Sequence, residues 1–137
     1  MTIASRELFE LCKQVYEATG WGRMDNGSPT DEYYAANPVI IRLNKPDVIN
    51  GWQIWRWEDF GESGRLHYNL GRGRAVPLYT SDYLLGRLPS EQYETLQLIK
   101  AKNYWRAGVG QMGSETSDTP LKALLKLTLK LHEEGLL

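Results

Sequence analysis

The chain has 137 residues and a formal net charge of −1, from sixteen Lys+Arg against seventeen Asp+Glu. That balance excludes a uniformly basic nucleic-acid coat and an acidic disordered tail, and the length and 42% hydrophobic fraction fit one globular domain over 1–137. Aromatic usage is skewed: 5 Trp and 8 Tyr stand against 2 Phe, so the rings that dominate carry an N–H or O–H and suit half-wet positions and interfaces.

Cys12 is the only cysteine, and His67 and His132 are far apart, so the sequence offers no intramolecular disulfide, no thiolate zinc cluster and no metal-type histidine spacing. We therefore expect no metal and no cofactor. No apolar run approaches the ~20 residues of a membrane span, and Arg6, Glu7 and Glu10 make the first residues too polar for a signal peptide. The expectation is a cytoplasmic protein with no membrane contact.

Ser5 is placed to cap a first helix whose apolar face runs through Leu8, Leu11, Cys12, Val15 and Thr19 and which stops at Gly20. Cys12 falls on that core stripe. Residues 21–37 read as a loop, rich in turn formers such as Asn26-Gly27 and Ser28-Pro29. Val39 to Leu43 is a short β-branched strand, and Asn50-Gly51 signals a hairpin. Residues 52–58 form the next strand. Alternation puts Trp52, Ile54 and Arg56 on one face and Gln53, Trp55 and Trp57 on the other, so neither face reads as simply solvated. Residues 65–70 read as a half-buried strand with Leu66, Tyr68 and Leu70 inward and His67 on the polar side. Residues 75–79 add an edge strand, supported by Pro77.

After Thr80, Ser81 or Asp82 caps a short turn through Leu88. Ser90 caps a helix to about Lys102, with Tyr93, Leu96 and Ile99 on one face. Residues 104–112 read as the last strand, and 113–119 as a polar loop. Thr119-Pro120 opens a final helix with an apolar face of Leu121, Leu124, Leu125, Thr128 and Leu131 and a cationic stripe of Lys122, Lys126 and Lys130; Gly135 stops it. The order predicts an α+β fold: a mainly antiparallel sheet of four to five strands, with N- and C-terminal helices among those packed on its faces in a sandwich-like α/β/α arrangement. A two-layer fold with one wet, aromatic-rich face is the alternative.

Gly108-Val109-Gly110-Gln111-Met112-Gly113 matches a dinucleotide-binding spacing. That chemistry needs a helix starting inside the motif, and here the helix waits until Thr119. The glycines instead mark a bent strand or a close backbone approach. Gly71-Arg72-Gly73-Arg74 lacks the Lys-Ser/Thr ending of a P-loop, yet its arginines suit a phosphate or carboxylate. Charge is also uneven. Residues 61–110 carry seven basic against four acidic side chains, a net +3, whereas 1–60 carry six against nine, a net −3. His67 is a weak catalytic candidate beside Glu58 or Asp59, with no nucleophile or metal site to complete it.

These features favour a small non-enzymatic binding protein, acting through a protein or small-anion contact. Its candidate surface is Trp55, Trp57, Tyr68, Arg72 and Arg74, where rings stack and guanidinium groups neutralise an anion. One alternative is an enzyme of unrecognised class acting on a nucleotide or phosphoester through His67, Asp59 and an arginine. The other is a nucleic-acid-binding module using the 65–74 ribbon.

Two segments resemble a known group. Tyr79-Thr80-Ser81-Asp82-Tyr83-Leu84-Leu85 is similar, with Ser and Thr transposed, to the Tyr-Ser-Thr-Asp helix opening of the phage "ABA sandwich" domain family of small phage and prophage proteins. Asp118-Thr119-Pro120-Leu121-Lys122-Ala123-Leu124-Leu125 resembles that family's Asp-Thr-Pro-x-x-Ala-x-x-Ala closing helix. The resemblance covers the last part of the chain. It implies a helix–sheet–helix fold and a phage or prophage origin, and it implies no activity.

Overall fold

The computed structural model describes residues 2–3, 5–21, 39–42, 52–55, 75–88, 95–110 and 113–137, with backbone alone at 2–3, 39–42, 52–55 and 75. Among these residues the fold is α+β, with helices near both ends, as expected. Contacts divide the chain into two compact units, 1–79 and 80–137.

In the first unit, helix α1 (Arg6–Thr19) forms for the reasons its sequence gives. The Ser5 side chain accepts from the Leu8 N–H at 3.1 Å, satisfying a donor that the first turn leaves open. Gly20 adopts a left-handed conformation and donates its N–H to the Tyr16 carbonyl at 2.8 Å. Thr19 ties the same end together. Its hydroxyl donates to the Val15 carbonyl at 2.7 Å and accepts from the Trp21 N–H at 3.2 Å. Phe9, Leu11, Cys12 and Val15 are buried, so the stripe that contains the cysteine is the core face.

The helix packs on a sheet of β1 (Thr2–Ile3), β2 (Val39–Arg42), β3 (Trp52–Trp55) and β4 (Ala75–Pro77), in the order β1-β3-β2-β4. All three pairings are antiparallel, with Ile40 opposite Ile54 on one side of β2 and opposite Val76 on the other. Among the described strands β4 lies at the end of that order, the position in a sheet that tolerates proline. The 21–37 loop lies outside the described residues apart from Trp21, and the 65–70 strand lies wholly outside them.

The second unit contains helix α2 (Ser81–Arg87), strands β5 (Leu96–Lys100), β6 (Trp105–Val109) and β7 (Gly113–Ser117), and helix α3 (Pro120–Glu133). The three strands form an antiparallel meander in chain order. The described strands thus pair as two sheets, rather than as the one sheet of four to five strands expected from the pattern.

Two expectations change here. Residues 96–100 are a strand, not the end of a helix, because Leu96 and Leu98 alternate with Gln97 and Ile99 and pair with β6. Residues 113–117 are a strand rather than a polar loop. Their backbone completes the β6 ladder even though Gly-Ser-Glu-Thr-Ser offers no apolar alternation.

Helix α2 is capped by Thr80, one residue before Ser81 and two before Asp82, the expected caps; its side chain accepts from the Tyr83 N–H at 3.1 Å. Helix α3 has the expected cap, with the Thr119 side chain accepting from the Lys122 N–H at 3.2 Å and Pro120 in the first turn. It buries Ala123, Leu124, Leu125, Leu127, Thr128 and Leu131 and packs on all three strands and on α2. Each buried leucine contributes roughly 1.5–3 kcal/mol, so this one face is a principal source of stability for the unit. The Thr128 hydroxyl, buried with them, donates to the Leu124 carbonyl at 2.8 Å. No helix among the described residues is long and apolar enough to cross a membrane.

Candidate functional site

The register of the second sheet sorts its side chains between two faces. Leu96, Leu98 and Lys100 on β5 stand opposite Val109, Ala107 and Trp105 on β6, which stand opposite Gly113, Glu115 and Ser117 on β7. Ala107 and Val109 are fully buried, so this face is the one that α3 covers. The other face carries Gln97 and Ile99, Gly108 and Arg106, and Ser114 and Thr116. Gln97, Ile99, Arg106 and Thr116 are exposed, and Ile99 retains 46% of its accessible surface.

This sorting also segregates charge. Glu115 and Asp118 lie towards α3, where its lysines meet them. Lys130 approaches Glu115 at 3.9 Å and Lys122 holds Asp118 at 3.1 Å. The Lys126 ammonium donates to the Thr116 carbonyl at 3.5 Å. The lysine stripe is therefore not a freely solvated face: it fastens α3 along β7, and the Lys122 side chain is only 12% exposed. Among the described strand residues of this open face, Gln97, Ile99, Arg106, Gly108, Ser114 and Thr116, none is acidic and Arg106 is the only ionisable one. Among the described residues the Arg106 guanidinium makes no ion pair or side-chain hydrogen bond.

A depression of about 310 Å³ lies on this open face, lined by Thr95, Gln97, Ile99, Arg106, Gly108 and Gly110. Gln97 faces Gly108 and Ile99 faces Arg106 across the β5–β6 pair. Gly108, part of that lining, also lets β7 approach closely. A Cβ built there would stand 3.1 Å from the Ser114 Cβ and 3.3 Å from the Gly113 carbonyl oxygen. Gly108 thus marks a close backbone approach of β6 to β7, one of the two readings its spacing without a following helix implied. The side chains around it supply a guanidinium fork, an amide and a hydroxyl, which together can hold an anion and its uncharged neighbouring atoms.

The sequence-derived candidates fall elsewhere. Trp55 ends strand β3, within the described backbone. Trp57, Glu58, Asp59, His67, Tyr68, Arg72 and Arg74 lie outside the described residues. His132 is exposed in the last turn of α3, where a cation meets the helix dipole favourably. Cys12 is fully buried, and desolvation pushes its thiol from an ordinary value of 9.0 to about 12, against a smaller lowering by a backbone hydrogen bond from Tyr79. It is a core thiol and no nucleophile at neutral pH. No group of three or more His, Cys, Asp or Glu among the described residues is arranged to hold a metal.

Arg106 was counted in the basic segment but not singled out as a site. Its signal was the alternation Gln97-Leu98-Ile99 against Arg106-Ala107-Gly108, which has meaning only once 96–100 is read as a strand. Comparisons with protein-family models, with curated proteins and with solved structures find no match to this chain.

Proposed function

We propose that the protein is a small non-enzymatic binding module that works through a protein or small-anion contact. The observation that carries this reading is Arg106, which among the described residues has no ion-pair partner and no acid on its sheet face, beside an open depression with amide and hydroxyl donors. An exposed guanidinium is available to an external anion, and the described strand residues around it carry no carboxylate to compensate its field. Trp55, Trp57, Tyr68, Arg72 and Arg74 are the second part of the proposal, on the strength of their composition alone.

We also read the chain as a cytoplasmic protein of phage or prophage type with a sandwich-like α/β/α arrangement. Both segments that resemble the phage "ABA sandwich" family support this, since each opens a helix through a threonine cap, at Thr80 and at Thr119.

The test is ligand binding at low ionic strength, followed by amide chemical shifts, with acetate, sulfate and phosphate as probes. Affinity capture from a bacterial lysate runs beside it. The expected result is a small anion or a specific protein whose binding drops on Arg106→Gln, or on Trp57→Ala with Arg72→Ala. Binding of anions and proteins that none of these variants alters would overturn the assignment.

A further inference from the structure

The geometry points to a small monocarboxylate with a flat body as the ligand of the Arg106 depression, which deepens the anion-contact reading above and rests on it. The charge count decides between anions. Among the described residues the open face offers one positive charge, from Arg106, and otherwise neutral groups from Gln97, Thr95, Ser114 and Thr116. One guanidinium fork matches one carboxylate by two parallel N–H···O bonds and cancels its charge. A phosphate dianion on the same fork would keep a net negative charge, since no second cation stands among the described residues of that face.

The shape decides the rest of the molecule. Next to Arg106 on the same face of β6 stands Gly108, with Gly110 beyond the strand's end, so no side chain rises from the floor there. Gln97 flanks that floor from β5 and Ser114 from β7. A flat body laid on exposed peptide planes fits this floor, while a puckered body meets Gln97 or Ser114. Ile99, opposite Arg106 and 46% exposed, gives the ring an apolar edge to cover. The volume, about 310 Å³, is at the lower end of small-molecule sites, roughly 300–1,000 Å³, which selects a compact ligand over a chain.

The experiment titrates the full-length protein with benzoate, benzamide, cyclohexanecarboxylate and inorganic phosphate at low ionic strength, read by amide chemical shifts. Benzoate is expected to bind tightest and to move the Gly108 and Gly110 amides. Benzamide, flat but uncharged, should bind about tenfold more weakly, and Arg106→Gln should weaken benzoate by a similar factor. Cyclohexanecarboxylate should fall between them. Gly108→Ala adds a methyl to the floor and should weaken benzoate further than inorganic phosphate. If Gly108→Ala does not fold, Arg106→Gln, an exposed substitution, still decides.

Phosphate binding as tightly as benzoate would overturn the carboxylate assignment while leaving the anion reading intact. Equal affinity for benzoate and cyclohexanecarboxylate would overturn the flat body alone. Failure of every anion to shift the β5–β6 amides would remove both the inference and the anion contact on which it rests.

Discussion

The Tyr79 hydroxyl donates a 2.6 Å hydrogen bond to the backbone carbonyl of Trp21, a residue 58 positions earlier in the chain. Tyr79 is fully buried, and its backbone also hydrogen-bonds the Cys12 thiol. One tyrosine thus ties the exit of α1 to the segment after β4, which closes the core of the first unit. Tyr79→Phe keeps the ring and leaves the Trp21 carbonyl without this donor. We expect a loss of about 1–2 kcal/mol, seen as a lower urea midpoint with an unchanged slope. An unchanged midpoint would show that water replaces the hydroxyl at no cost.

Cys12 predicts both a labelling pattern and a pH dependence. The native thiol is buried and raised to about 12, so iodoacetamide at pH 8 should modify it only through opening of the first unit, and rapidly in urea. The sign of the linkage follows from the raised native value. The native state keeps its proton where the unfolded thiol, near 9, has lost it. The stability contribution is therefore complete below about pH 9 and is lost as pH rises towards about 12. Cys12→Ala should cost about 1 kcal/mol at pH 7 through the space it leaves, and should flatten the alkaline decline. Native labelling as fast as unfolded labelling would contradict the burial.

Legibility followed the strength of local chemistry. Helices α1 and α3 were readable to the cap, because Ser5, Gly20 and Thr119-Pro120 satisfy backbone groups that every helix end leaves open. Strand β4 was readable from its proline. Strand β5 was misread because Leu96 and Ile99 also fit a helical step from Tyr93; pairing with β6 overrides that short-range ambiguity. Strand β7 was invisible because a polar strand has no hydrophobic alternation. What holds it is the β6 ladder and the lysines of α3, both distant information. The candidate site was hidden for the same reason: Arg106 and Gln97 share a face only through the register of a strand that looked like a helix.

Asp118 precedes the Thr119 cap of α3 and is exposed, yet its carboxyl is held below the ordinary carboxylate range. The Lys122 ammonium, at 3.1 Å, is the main cause, followed by the Ser117 hydroxyl, which donates at 3.1 Å. A lowered native value means a contribution present above the ordinary carboxylate range and lost as pH falls through the lowered one. NMR titration of the Asp118 carboxyl should show a depressed midpoint. Lys122→Ala should raise it towards the ordinary value, and added salt should do so in part. A midpoint indifferent to Lys122→Ala would contradict the ordering of causes. Because the pair is exposed, its effect on the unfolding midpoint should be small.

Gly113 opens β7 at φ +149°, a conformation that side chains rarely adopt, and the Lys130 side chain lies across it. A Cβ at Gly113 would stand 2.9 Å from Lys130 Cε and 3.2 Å from Cδ. Gly113→Ala therefore meets two separate obstacles. The backbone strain costs of order 1–3 kcal/mol and depends on residue 113 alone. The steric conflict depends on Lys130, whose flexible end can move, at the expense of its 3.9 Å approach to Glu115. A double-mutant cycle with Lys130→Ala separates them, since that variant removes the obstruction and leaves φ unchanged. Gly113→Ala should still cost at least about 1 kcal/mol in the Lys130→Ala background, with a smaller coupling term from the lost conflict. Disappearance of the cost in that background would place the whole effect in the side-chain contact and none in the backbone.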